Sequence, residues 1–214
     1  MVYWYRPAKP SSLKRDPIVF AHGLGIGLSQ YCLLIHKLSS FDNAIFLVEV
    51  LDPFPAAFLM HFLFPQINNV ACYLVEKALA MEEALPVMES MLNKHGYQKA
   101  IWMGHSYGSV YVSWVLRSRP DLAVKAVLLD PVVILLNFPD VCYNFFYREP
   151  SSTIELGLHY FAARELFISK SMSRNFHWYF CWLQSRDVTD FPPPLASLLG
   201  CSAFSGRKTS TCPA

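Results

Sequence analysis

The chain has 214 residues, of which 53% are hydrophobic and 16% charged, against about 25% charged in an ordinary globular domain. That length suits one sizeable domain with a full core. The net charge of +2 argues against a nucleic-acid partner, because no basic surface is in prospect.

Residues 1–14 read as a lead-in. They do not read as a signal peptide, because Pro7, Lys9 and Pro10 interrupt them before an apolar run develops. Pro17-Ile18-Val19-Phe20-Ala21 is a compact apolar run, expected as a buried strand, and it ends in the turn His22-Gly23-Leu24-Gly25-Ile26-Gly27. Residues 30–38 are expected as a short helix with Leu33, Leu34 and Leu38 on one side. Residues 44–50 form a second apolar run. An unbroken run, rather than an alternation, suits a parallel sheet covered on both faces.

Residues 51–64 are rich in proline and aromatics and read as a loop. Glu49, Asp52, Pro53, Pro55 and His61 make the apolar stretch 43–64 unfit to span a membrane. A helix is expected over 70–95, with Met81, Leu85, Met88 and Leu92 at helical spacing. Pro86 should kink or split it, and Gly96 should stop it. Residues 99–103 predict a third strand, 106–116 a helix, and 124–129 a fourth strand closing at Asp130-Pro131.

After Val132 the strand–helix rhythm stops. Residues 137–184 are aromatic and mostly helical in character, and read as a cap or lid over an apolar acyl pocket. Residues 185–214, with Pro192-Pro193-Pro194 and a Ser-, Gly-, Thr- and Cys-rich end, are expected to be irregular or disordered. Cys32, Cys72, Cys142, Cys181, Cys201 and Cys212 are scattered without a C-x-x-C pair. No metal site is expected, and the thiols read as free, mostly buried and in a reducing compartment.

Strands alternating with helices over 15–136 imply an α/β core, a mostly parallel sheet with helices on both faces. Ligands bind such sheets at the carboxyl ends of strands. Gly23, Gly25, Ser106 and Asp130 all fall at such ends.

Gly104-His105-Ser106-Tyr107-Gly108 is a G-x-S-x-G pattern between a strand and a helix, the setting of an exposed nucleophile on a strained turn. Ser106 is the candidate nucleophile. A helix N-terminus offers backbone N–H groups to an oxyanion. The two donors expected are Tyr107, after the nucleophile, and Leu24, in the upstream turn, with His22, Gly23 and Gly25 supporting the loop. His22 and His105 are expected to orient these loops through hydrogen bonds. A dinucleotide site is excluded, because Leu28 stands where G-x-G-x-x-G needs its third glycine.

These residues, with Val127-Leu128-Leu129-Asp130-Pro131, resemble the α/β-hydrolase superfamily over residues 15–183. The stretch from Asp130 through Tyr143-Asn144-Phe145 to Tyr160-Phe161-Ala162-Ala163-Arg164-Glu165 is similar to fungal α/β hydrolases with an AB hydrolase-1 type domain. The resemblance implies an α/β-hydrolase fold and cofactor-free serine esterase or lipase chemistry on a small apolar ester or acyl substrate. It also implies a Ser–acid–His order, with the histidine brought in by two later strands and a final helix. Asp130 is the candidate acid; Asp140, Asp187 and Asp190 read as loop residues. His159 and His177, both in the cap, are the only histidines downstream of Asp130. The expectation is therefore a fold whose C-terminal strands are missing. Three readings follow: a serine hydrolase acting through a Ser106 acyl-enzyme, an inactive hydrolase-like protein without the triad histidine, or a lipid- or membrane-surface binding module. The location reads as cytoplasmic or membrane-associated, and the sequence does not set an oligomeric state.

Overall fold

The computed structural model describes residues 1–10, 15–24, 27–49, 79–134, 136–164, 166–174, 176, 178–184, 187 and 196–199. The expected loop at 51–64 and the first turns of the helix expected from 70 lie outside these residues, as do Gly25, His177 and Asp190.

Period-two geometry divides a strand's side chains between two faces. In β2 (Ile18–Ala21) all four residues are buried, so both faces are covered. Val19 and Ala21 join Phe46, Val48 and Trp102 on one face, while Ile18 and Phe20 join Ile45 on the other. The partners are β3 (Ile45–Glu49), β4 (Ala100–His105) and β5 (Ala123–Leu129), which run parallel to β2 or to each other. Helix α1 (Cys32–Ser40) and the 3-10 turn Gly27–Tyr31 cover the second face through Leu38 and Tyr31. Helices α2 (Met81–Lys94) and α3 (Gly108–Ser118) cover the first with Met88, Leu92, Val110 and Val115. Phe20 and Phe46 are completely buried, and such a side chain contributes about 1.5–3 kcal/mol by leaving water. The buried Trp102 donates its indole N–H to the Leu122 carbonyl at 2.9 Å, so its polar atom is satisfied.

Among the described residues the sheet has six strands in the order β1-β3-β2-β4-β5-β6, two of them not expected from the sequence. β1 (Val2–Arg6) lies where a lead-in was expected and pairs antiparallel with β3, from Val2 opposite Glu49 to Arg6 opposite Ile45. Its Val-Tyr-Trp-Tyr content favours a pleated, half-buried surface. Arg6 pins this edge by donating to the carbonyls of Ser39, Phe41 and Asn43 at 2.7–2.8 Å. β6 (Ala196–Leu199) lies within the segment expected to be irregular and pairs parallel with β5. Ala-Ser-Leu-Leu carries no β-branched residue and no alternation, and so has no strand signature.

Pro86 does not split α2, which runs unbroken from Met81 to Lys94. Pro86 is exposed and lies in the second turn of the helix. The helix starts with the Glu83 carboxylate accepting the Ala80 N–H at 2.9 Å. It stops as expected at Gly96, whose φ of +78° lets Tyr97 N–H reach the Leu92 carbonyl.

The cap region is helical, with helices Pro139–Phe146, Thr153–Leu158, Leu166–Arg174 and Trp178–Cys181 and a π turn His159–Ala163. It is packed into the main core through Ile168, Met172, Cys181 and Leu183. Ser113 on α3 donates to the Cys181 carbonyl at 3.2 Å, and Leu183 N–H to the Val133 carbonyl at 2.9 Å. Of the described cysteines Cys181 is buried, Cys142 half-buried and Cys32 exposed, so only Cys181 fits the expected buried thiol. Among the described residues no helix is long and apolar enough to cross a membrane.

Candidate active site

β4 ends at His105 and α3 begins at Gly108, which leaves Ser106 and Tyr107 to reverse the chain. Ser106 has φ +49°, in the left-handed region that costs a side-chain-bearing residue about 1–3 kcal/mol. Two backbone bonds hold it there: Ser106 N–H to the Leu129 carbonyl and Ser109 N–H to the Ser106 carbonyl, both at 3.0 Å. A Cβ on Gly104 would lie 2.6 Å from the Gly108 oxygen, and one on Gly108 only 2.1 Å from the Ala21 oxygen. The flanking glycines are therefore required by contact: the start of α3 rests directly on the end of β2.

The upstream turn closes on the same spot. A Cβ on Gly23 would lie 2.9 Å from Ser106 Cβ, 3.0 Å from His105 Nδ1 and 3.1 Å from Tyr31 Oη. His22 is buried, and its Nδ1 lies 2.7 Å from the Gly23 carbonyl. A carbonyl only accepts, so the His22 proton is assigned to Nδ1. Burial lowers the His22 pKa and favours the neutral ring. Leu24 follows, half-buried, with its carbonyl accepting from Gln30 Nε2 at 3.4 Å. Tyr107 is buried, its ring packed on Tyr111 and on Phe176 of the cap.

Asp130 ends β5 beside the elbow with φ +41°. Its Oδ2 lies 3.9 Å from His105 Nε2, and half of its side chain is exposed (51%). The other ring nitrogen of His105, Nδ1, lies 2.7 Å from Tyr31 Oη, which also accepts the Gly23 N–H at 2.9 Å. Burial lowers the His105 pKa against the opposing pull of Asp130, which favours a neutral imidazole.

The fold thus gathers Ser106, Tyr107, His105, Gly104, Gly108, His22, Gly23 and Asp130 at one end of the parallel strands, with Leu24 next in chain. It does not bring in Asp140, exposed in the first turn of a cap helix, or Asp187, which faces Arg117 at 3.6 Å and accepts the Gln184 N–H at 2.9 Å. His159 lies in the π turn of the cap. Tyr31 is the site residue that sequence reading missed. A tyrosine eight residues after Gly23 carries no motif, and only the folded register brings its hydroxyl to the elbow. Among the described residues no group of three or more His, Cys, Asp or Glu could hold a metal ion.

No protein-family model matches the chain, an AB hydrolase-1 type domain included, and no curated protein matches it in sequence. Solved structures do. Est816, described as an N-acyl homoserine lactone degrading enzyme, is similar with TM-score 0.53 and 11% identity over 88% of this chain and 74% of its own. A monoacylglycerol lipase from Paleococcus ferrophilus matches with TM-score 0.44 and 20% identity, over 73% of this chain and 49% of its own. An alpha/beta hydrolase enzyme from a sediment metagenome of the Mar Chica lagoon, Morocco, matches with TM-score 0.40 and 16% identity, over 81% and 65%. The chain thus spans about half to two thirds of the length of these last two. The strand order, the strand–elbow–helix at Ser106 and the likeness to Est816 converge on one architecture: this chain has the α/β-hydrolase fold.

Proposed function

We propose that the protein is a serine hydrolase that cleaves a small carboxylic ester through a Ser106 acyl-enzyme. The observation that carries this reading is Ser106 in the left-handed region at a strand-to-helix turn, with Gly23 of the upstream turn packed behind its Cβ. A strained nucleophile at a helix N-terminus, facing a second backbone turn, is the arrangement that acyl transfer needs. Ser106 Oγ attacks the ester carbonyl, and the N–H groups of Tyr107 and Leu24 hold the oxyanion. Each such donor supports about 3 kcal/mol of transition-state stabilisation. The C–O bond to the alcohol breaks and the alcohol leaves with the proton given up by Ser106 Oγ; water then attacks the acyl group, the bond to Ser106 Oγ breaks, and one proton of that water returns to Ser106 as the acid is released. Asp130 is the acid of the proposed machinery, and the cap with Phe176 over Tyr107 suits an apolar acyl chain. The ester and lactone chemistry named for the structural neighbours is in keeping with this class of substrate.

A second reading, an inactive hydrolase-like protein, is favoured by one specific contact. The imidazole facing Asp130 is His105, and its Nδ1 is engaged by Tyr31, so this ring is placed to hold loops and not to take the Ser106 proton. A lipid-surface reading rests on the exposed Phe138, Tyr143, Tyr147 and Tyr160 of the cap; absence of co-flotation with liposomes at low salt would remove it. A fluorophosphonate probe separates the first two. The hydrolase reading expects labelling of wild type and none of Ser106→Ala, whereas no labelling of either favours the inactive protein.

A further inference from the structure

We propose that Tyr31 is a positioning residue that sets the spacing between the oxyanion turn and the nucleophile turn, a role that rests on the serine hydrolase reading above. Tyr31 closes the 3-10 turn before α1 and is buried, its ring set edge-on against Phe20 and His105 with centroids 5.1 and 5.3 Å away. Its hydroxyl oxygen accepts the Gly23 N–H at 2.9 Å and lies 2.7 Å from His105 Nδ1. Gly23 follows β2 and His105 ends β4, so a single hydroxyl links the ends of two strands.

Each linked residue is the immediate chain neighbour of a residue in the proposed chemistry: Gly23 precedes Leu24, and His105 precedes Ser106. Consecutive Cα atoms are a fixed distance of about 3.8 Å apart, so a shift at either linked residue is passed to the next. Gly23 has no side chain to fill the gap, and the virtual Cβ contacts show how closely the three groups already meet. Gly23 N–H can only donate, so the Tyr31 hydroxyl oxygen accepts there and its proton can point at His105 Nδ1. The acceptor-only carboxylate of Asp130 lies on the Nε2 side of the ring, 3.9 Å away, and the His105 ring proton is assigned to Nε2 on that ground. The neutral state favoured by burial of His105 agrees with that assignment.

Tyr31→Phe keeps the ring and removes the hydroxyl. The test is the rate constant for labelling of Ser106 by a fluorophosphonate, followed by intact-protein mass spectrometry to completion. A misplacement of about 1 Å can cost about 100-fold, so the variant should label about 10–100-fold more slowly. The final labelled fraction should equal that of wild type, which separates positioning from loss of folded protein. Nitrogen-15 NMR should show unprotonated Nδ1 at His105 in wild type and a mixture of tautomers in the variant. An unchanged rate constant with labelled wild type overturns the role of Tyr31 and leaves the hydrolase reading standing, as does a lower final fraction at an unchanged rate. Failure of wild type to label overturns the hydrolase reading, and the positioning role falls with it.

Discussion

Replacing Gly108 by alanine tests how tightly the elbow is built. The added Cβ would lie 2.1 Å from the Ala21 oxygen, 2.6 Å from the Ala21 carbonyl carbon and 2.7 Å from the His22 oxygen. All three are backbone atoms, so no rotamer change can relieve the contact. Real Cβ atoms keep at least 3.0 Å from such neighbours, so α3 and β2 must separate by about 0.9 Å. Overpacking of that kind costs about 1–3 kcal/mol, and the upper half of the range is expected because the clash is with backbone. For a chain of this length about 2–3 kcal/mol corresponds to about 4–12 °C in Tm. The matched control is Gly157→Ala. Gly157 lies in the short helix Thr153–Leu158, and an added Cβ there meets nothing within 4 Å. Alanine in a helix is favoured over glycine by up to about 1 kcal/mol, so this variant should be neutral or slightly more stable. Thermal melts and urea titrations of both variants decide the matter. Equal stability of the two would refute the close seating of α3 on β2.

Three further outcomes follow from the same geometry. Gly23→Ala presses on Ser106 Cβ, which the backbone holds in place, at 2.9 Å, a milder contact than the 2.1 Å of Gly108→Ala; it should slow fluorophosphonate labelling of Ser106 by about 10–100-fold while lowering Tm less than Gly108→Ala. Burial depresses the pKa of His22 below its ordinary 6.5, so the unfolded chain binds a proton that the folded chain resists; that contribution to stability is full above about pH 6.5 and is lost as the pH falls toward the folded value. The urea midpoint should therefore drop between pH 7 and pH 5, and the drop should shrink in His22→Asn, whose amide can still donate to the Gly23 carbonyl. Burial pushes the Cys181 thiol pKa up to about 12, whereas Cys32 is exposed, so iodoacetamide at pH 8 followed by peptide mapping should modify Cys32 in the folded protein and Cys181 only after unfolding.

The central strands were legible because burial on both faces leaves a simple trace: Ile18-Val19-Phe20-Ala21 has no polar position to confuse it. The elbow was legible because its glycines are forced by backbone contact, at 2.1 Å for Gly108, and such contacts dictate residue type. The sheet edges were harder to read. β1 is a short segment just ahead of Pro7 and Pro10, and its pairing depends on β3, about 40 residues away. β6 is four residues without a β-branched side chain. Pro86 misled because a proline on an exposed helix position can be carried by the packing of the opposite face, here Leu85, Met88 and Leu92, which one sequence does not show. The chemistry was legible only in part. The places of Ser106 and Asp130 at strand ends were readable, but the Tyr31 hydroxyl meets Gly23 and His105 only through the register of β2 beside β4.

The most direct test of the central claim is to mix the protein with p-nitrophenyl esters of short and medium acyl chains and map the quenched protein by mass spectrometry. The account predicts p-nitrophenol release by wild type with an acyl group on the Ser106 peptide, both absent in Ser106→Ala. Release that is equal in the two proteins, or a wild type that neither turns over nor carries an acyl group, would contradict it.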